Sequence, residues 1–185
     1  MKKPFVDKKL LIPFIIALVG AVLVMLCLFL PYASATEKVA AELDASPNAI
    51  INEDLGISAA NMKNVSTIEF TEIYSKLSYS LFGGGDGYFY IGMTVAIGVF
   101  GLLCTLFTLL KKATPIIVFS FLNLLIVAFQ HYDYYLRGVI GNEIYDWGIA
   151  VYLFYIAAAL SLIGAIWMLV VKIKLKRQNK ILGDK

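Results

Sequence analysis

The residue types in this sequence that are best suited to chemistry gather in one stretch, directly after a long apolar run. His131 is the only histidine of the chain, and charged side chains follow it within a few positions. An imidazole beside carboxylates can hold a metal ion or move a proton. The cluster consists of His131, Asp133, Arg137, Glu143 and Asp146. Because its spacing matches no metal motif, we expect Arg137 to pair with one of the acids, and we predict no catalytic and no metal site.

The two cysteines do not indicate redox chemistry. Cys27 and Cys104 lie in separate apolar runs, without the paired spacing that thiol oxidoreductases use. We therefore predict no cofactor. The composition points elsewhere, because 60% of the residues are hydrophobic and only 16% are charged, against about 25% charged in soluble domains. This excludes a soluble globular domain and a nucleic-acid partner, and it predicts a protein whose first partner is the lipid bilayer.

Four apolar stretches are long enough to cross a bilayer, which takes about 20 residues in a helix. They cover about 10–32, 88–110, 115–132 and 149–171, and none contains Asp, Glu, Lys or Arg. We predict an all-α integral membrane protein, a single four-transmembrane-helix bundle of residues 1–185. Pumps, voltage sensors and proton-coupled carriers usually need charged groups within their spans, so the sequence argues against these classes.

The charges predict how the spans are oriented. Twelve of the 16 Lys and Arg residues lie in the N-terminal segment, the turn after the second span and the C-terminal tail. Segments 33–87 and 133–148 hold 11 of the 13 acids. Positively charged loops stay in the cytoplasm, so both termini are predicted to be cytoplasmic and both acidic segments to lie outside. The short tails favour a multi-pass protein of a bacterial plasma membrane.

The first span resembles a signal peptide in one respect. It follows four lysines and precedes Ala33-Ser34-Ala35, a small-x-small sequence typical of a cleavage site. Its apolar run, however, exceeds the 7–15 residues of a signal peptide. We expect a retained helix, and cleavage after Ala35 is the alternative.

The outer loop 33–87 is predicted to be partly helical. Ser34–Glu37 and Ser66–Glu69 both fit the capping box that starts a helix. After the second, apolar residues recur at three- and four-residue spacing, which predicts an amphipathic helix. These residues are Phe70, Ile73, Tyr74, Leu77 and Leu81. The helix could be a lid on the bundle, lie among the outer head groups, or bind a partner.

Small and weakly polar residues within the spans predict helix–helix contacts, because such residues let helices approach closely in lipid. The first span carries Ala17 and Gly20. The later spans carry Thr94, Gly98, Gly101, Thr105, Ser120, Asn123, Gln130, Ser161 and Gly164. The alternative is that the polar members line a pocket or a water path. An Asn in hydrocarbon is costly to leave unpaired, so Asn123 should face another helix.

These features favour a non-enzymatic membrane protein that acts as an accessory, assembly or scaffold subunit. Its partner would be another membrane protein or a second copy of the chain. The main alternative is a passive pore or a subunit for lipid or small-molecule transport. An enzyme that uses His131 and the nearby carboxylates is the third hypothesis.

Overall fold

The computed structural model describes residues 8–52, 57–82 and 86–183. Six α-helices and five short strands form in this part of the chain. The helices are α1 (Lys8–Cys27), α2 (Glu37–Ala45), α3 (Thr67–Phe82), α4 (Asp86–Leu109), α5 (Ala113–Leu136) and α6 (Ile149–Gly183). The strands are β1 (Pro31–Ala35), β2 (Ile50–Asn52), β3 (Ile57–Ser58), β4 (Asn64–Ser66) and β5 (Tyr145–Trp147), with a 3-10 helix at Ala59–Met62.

Four of the helices, α1, α4, α5 and α6, are long and apolar enough to cross a membrane. This agrees with the predicted helical membrane protein, although the boundaries differ. The first helix ends at Cys27, so the predicted span 10–32 is too long. The third helix extends to Leu136, beyond the predicted end of that span at 132, so that Asp133 lies on its last turns together with His131. The fourth continues past 171 to Gly183.

Helix α1 ends early because the chain changes to extended structure. Strand β1 is the middle strand of a three-stranded antiparallel sheet in the order β4-β1-β5. Ala33 faces Val65 of β4 on one side and Trp147 of β5 on the other. The sheet thus joins the segments that follow the first and third membrane helices. We call residues 31–52, 57–66 and 137–148 the cap. The opposite end of the bundle, marked by Lys111, is the basic end.

The predicted capping box at Ser34 is wrong. Ser34 belongs to β1, and its hydroxyl donates to the side chain of Asn64 at 3.0 Å. Helix α2 begins at Glu37 instead, and its N-cap residue Thr36 donates to the carbonyl of Glu143 at 2.9 Å. A strand that pairs with distant residues has taken the place of a local helix start.

Helix α3 begins as its sequence predicts. The Ser66 amide donates to the Glu69 carboxylate at 2.9 Å, and the Glu69 amide donates to the Ser66 hydroxyl at 3.3 Å. These are the reciprocal bonds of a capping box. The helix packs along α4, and Phe70 is 7% exposed. Ile73 and Tyr74 are half-buried against the same core, while the side chains of Leu77 and Leu81 lie outside the described residues.

The closest helix contact is between α1 and α6. A Cβ atom added at Gly20 would lie 2.3 Å from the Ser161 amide nitrogen. One added at Gly164 would lie 2.5 Å from the Ala17 nitrogen. The backbones of α1 and α6 therefore touch at Gly20 and at Gly164. Such close approach at small residues is how helices associate in lipid.

Candidate functional site

The junction between the cap and the bundle is built around the ring of Tyr32. This β1 side chain is 1% exposed. Its ring centroid lies 5.4 Å from that of His131, 5.6 Å from Phe70, 6.0 Å from Tyr134 and 6.1 Å from Trp147. Aromatic pairs at such distances contribute roughly 0.5–1.5 kcal/mol each beyond the burial of their area. One strand residue thus connects α3, α5 and β5.

Burial also keeps the Tyr32 hydroxyl neutral. Desolvation raises the pKa of this phenol well above its usual value, and the neighbouring Tyr134 and Tyr155 raise it further. The hydroxyl has no hydrogen-bond partner among the described residues. Burial also raises the pKa of the Tyr145 hydroxyl on β5. This hydroxyl donates to the Met62 carbonyl at 2.8 Å. Both rings act as packing groups of the cap.

His131 lies between the rings of Tyr32 and Trp147, with centroids 5.4 and 5.5 Å away. Its Nδ1 atom is 2.9 Å from the hydroxyl of Tyr155 on α6. Its Nε2 atom is buried and has no partner in the described part of the chain. A general base must reach its substrate within hydrogen-bond distance. One nitrogen is thus engaged by Tyr155 and the other is buried, so the geometry favours a role in packing.

Asp133 joins two elements at the end of α5. The hydroxyl of Tyr90 on α4 donates to its carboxylate. Arg137, one helical turn along, donates from Nε to Oδ1 of Asp133 at 3.2 Å. This bond raises the pKa of the Arg137 guanidinium above its ordinary value, so the side chain stays charged. The Arg137 guanidinium also lies 5.8 Å from the centre of the Tyr90 ring. The group ties α4 to α5 at the cap.

The other two members of the predicted polar cluster lie elsewhere. Glu143 is exposed, and its backbone carbonyl holds Thr36. Asp146 is exposed on β5, opposite Ser34. Within the three described ranges, no group of three His, Cys, Asp or Glu side chains gathers in a way that could hold a metal ion. The structure therefore brings together Asp133 and Arg137, but not all five residues.

Polar side chains inside the bundle bond to one another across helices. The Ser120 hydroxyl lies 2.8 Å from that of Ser161, which joins α5 to α6. The Cys104 sulfur lies 3.4 Å from Ser120 and adds α4 to the same seam. About three turns towards the cap, the Thr94 hydroxyl accepts from Gln130 at 3.4 Å. These contacts use the polar groups that a water path would need.

Asn123 faces α4, as expected because an unpaired side-chain amide is costly in hydrocarbon. In the orientation that satisfies both ends of its amide, it donates to the Ile97 carbonyl at 3.3 Å and accepts from the Gly101 amide at 3.2 Å. It is 1% exposed.

The remaining residues of the predicted packing set differ in their contacts. Gly98 receives the side chain of Leu28, just after α1, and Gly101 receives side chains of α1 itself. The Thr105 hydroxyl instead donates to the Gly101 carbonyl of its own helix at 3.0 Å.

Replacing Asn123 by alanine tests this link. We expect Asn123→Ala to lower the free energy of unfolding by about 1–2 kcal/mol, because it removes two bonds between α4 and α5. Thr105→Ala is the matched control, since its hydroxyl bonds only within α4 in the contacts described above, and it should change stability by less than about 0.5 kcal/mol. Unfolding in mixed detergent micelles measures both. Equal effects would contradict the assignment.

An open cleft lies between α5 and α6 next to the cap. Its volume is ≈ 370 Å³, and aromatic residues form most of its lining. Trp147 and Tyr155 form its inner side with His131, while Tyr132 and Tyr152 are more than half exposed. Rings with polar tips are typical of the membrane–water boundary, so the cleft marks where the cap meets the interface.

Sequence reasoning missed the residues that hold the cap in place. Tyr32 was the end of a predicted span, and no role was predicted for Gly148. In the structure, a Cβ atom at Gly148 would lie 2.2 Å from the Pro31 carbonyl oxygen. The only available signal was the short alternation around Tyr145 and Trp147, which is too brief to distinguish a strand from a turn.

No protein-family model matches the chain, and no curated protein or solved structure is significantly similar to it. Its function must therefore follow from its own surfaces. The exposed parts are a folded cap and the apolar exterior of four helices that could cross a membrane. Inside the bundle, polar side chains bond to one another. The fold that these define is a helical membrane protein with a small sheet at one end.

Proposed function

We propose that this chain is a non-enzymatic accessory, assembly or scaffold subunit of a membrane complex, and that its cap binds the partner protein. We further propose that it resides in a bacterial plasma membrane with the basic end and both termini in the cytoplasm. The cap then lies outside. The segregation of lysines at one end and acids at the other supports this orientation.

The observation that carries the proposal is an exposed apolar surface on the cap. Ile50 and Ile51 of β2 are 65% and 49% exposed. They lie on a two-stranded ribbon with β3, next to α2, a helix with no buried side chain. Exposed apolar groups outside a membrane-spanning region are typical of protein-binding surfaces. The ribbon leads through the 3-10 helix Ala59–Met62 into β4 of the central sheet.

The interior supports this reading over a pore through a single chain. Ser120 pairs with Ser161, Gln130 with Thr94, and Asn123 with the α4 backbone. A conducting path needs polar groups that are free to contact water. Enzymatic activity has equally little support, because the buried His131 and the exposed Glu143 do not converge on one substrate position.

Purification of the tagged full-length chain from its native membranes in mild detergent tests the proposal. We expect a second protein in constant ratio, identified by mass spectrometry, and a native mass that equals the sum of both. Ile50→Ser should reduce the amount of this partner at least tenfold, since burying one large apolar side chain at the centre of an interface contributes about 1.5–3 kcal/mol.

Ile144→Ser is the matched control for this experiment. Ile144 is 53% exposed and also belongs to the cap, but it lies outside the β2–β3 ribbon. It should leave the partner bound. A chain that purifies alone would contradict the proposed function, and equal loss in both variants would contradict the assigned surface.

A further inference from the structure

A groove on the outside of the bundle runs between the loop helix α3 and the membrane helix α4. Its volume is ≈ 390 Å³. Ile68 of α3 forms one wall, and Ile91 and Val95 of α4 form the other. Leu28 and Gly98 form its floor. The missing side chain at Gly98 leaves the floor open above Leu28, whose side chain would lie 3.4 Å from a Cβ atom added there.

The groove is suited to a hydrocarbon chain and not to a polar ligand. The two hydroxyls beneath it, from Thr71 and Thr94, lie 2.8 Å apart. Thr71 also contacts the Thr67 carbonyl at 2.8 Å, and Gln130 donates to Thr94. Both hydroxyls are thus already engaged within the protein. What remains open is an apolar surface.

Its position favours a lipid over a protein helix. Ile91 and Val95 belong to the candidate span Gly87–Leu109 and are 39% and 57% exposed, so this wall faces the hydrocarbon when α4 crosses the bilayer. The volume falls in the roughly 300–1,000 Å³ range of small-ligand sites. A stable protein interface buries roughly 1,200–2,000 Å² in total, which a groove of this size does not provide.

The rim adds a pair of opposite charges. Glu72, which also lines the groove, accepts a bond from Lys76 at 2.7 Å, and both side chains are about half exposed. A phosphoethanolamine head group carries an ammonium and a phosphate. Its ammonium complements Glu72 and its phosphate complements Lys76, whereas a purely anionic head group could place its phosphate on Lys76 but has no cation for Glu72.

We propose that this groove binds one acyl chain of a zwitterionic phospholipid, with the head group on Glu72 and Lys76. The site lies on α3 and α4 and is separate from the β2–β3 ribbon to which the partner protein was assigned. The lipid would hold α3 against α4 in addition to the protein contacts at Thr71 and Thr94.

Lipid retention tests the proposal. The full chain is reconstituted in vesicles of equal parts phosphatidylethanolamine and phosphatidylglycerol, extracted in mild detergent, and weighed by native mass spectrometry. We expect one retained phosphatidylethanolamine per chain. Val95→Trp places a large ring in the groove and should reduce retention about tenfold or more. Val99→Trp is the matched control, because Val99 is 47% exposed one turn along α4 and lies outside the groove lining.

The head-group assignment has its own variant. Glu72→Lys leaves two cations on the rim, so the retained lipid should change from phosphatidylethanolamine to phosphatidylglycerol. Several results would overturn the proposal: no retained lipid in the unsubstituted chain, equal retention in Val95→Trp and Val99→Trp, or no head-group preference. A protein from native membranes that Val95→Trp displaces would overturn it in favour of a docked helix. Because Ile50 is distant in sequence and on another element, loss of lipid with the partner retained separates this proposal from the function proposed above.

Discussion

Gly20→Ala is expected to be among the most damaging single substitutions in this protein. The new Cβ atom would lie 2.3 Å from the Ser161 nitrogen and 2.6 Å from the Ala157 carbonyl oxygen. Both are backbone atoms of α6, so no side chain can rotate away, and α1 must move. Adding volume to a tightly packed contact costs about 1–3 kcal/mol, and we expect the upper end of this range because the clash is with backbone.

Gly92→Ala is the matched control, and its expected sign is opposite. Gly92 lies within α4, and a Cβ atom there would meet nothing within 4 Å. Alanine favours a helix interior over glycine by about 1 kcal/mol, so this variant should be neutral or slightly more stable. Reversible unfolding in mixed micelles measures both variants. If Gly20→Ala were as stable as Gly92→Ala, the close packing of α1 on α6 would be refuted.

Gly148→Ala should detach β5 from the rest of the cap. A Cβ atom at Gly148 would lie 2.2 Å from the oxygen and 2.6 Å from the carbon of the Pro31 carbonyl. The Gly148 amide also donates to the Tyr32 carbonyl at 2.8 Å. Separating these strands moves Trp147 away from the Tyr32 ring. We expect a loss of about 2–3 kcal/mol, again from overpacking against backbone.

Limited proteolysis distinguishes a detached cap from an unfolded bundle. In Gly148→Ala, residues 137–148 should be cut much faster than in the unsubstituted chain, while the four long helices stay protected. Binding of the proposed partner protein to the cap should also be lost. Unchanged cleavage of the cap, with Gly92→Ala as the reference, would show that β1 and β5 are not held through Gly148.

Hydropathy and composition were sufficient to locate the four long helices, because the need for about 20 consecutive apolar residues is a local property of the chain. The predicted span 88–110 nearly coincides with α4, whereas 149–171 gives the start of α6 and ends before its last residue, Gly183. The start of α3 was also predictable, since Ser66 and Glu69 satisfy each other within one turn. A structural feature that depends only on residues close together in the chain, such as a span or a helix cap, can be recognised from the sequence alone.

Long-range pairing was not visible in this way. Ala33 pairs with Val65 and Trp147, and no feature of residues 31–35 specifies either partner. An apolar segment that continues a span looks the same whether it ends as helix or as strand. Only the approach of two distant loops supplies the hydrogen bonds that make β1 extended, which is why the predicted span ended five residues too late.

The same distinction applies to the functional surfaces. Composition indicated that small residues such as Gly20 and Gly98 would serve contacts, because glycine allows close approach wherever it lies. Which contact each one makes depended on the folded arrangement: Gly20 meets the backbone of α6, whereas Gly98 opens the floor of a groove at Leu28. The sequence shows where the glycines are. Only the folded arrangement of distant elements places Gly20 in a helix contact and Gly98 in the groove that we propose binds lipid.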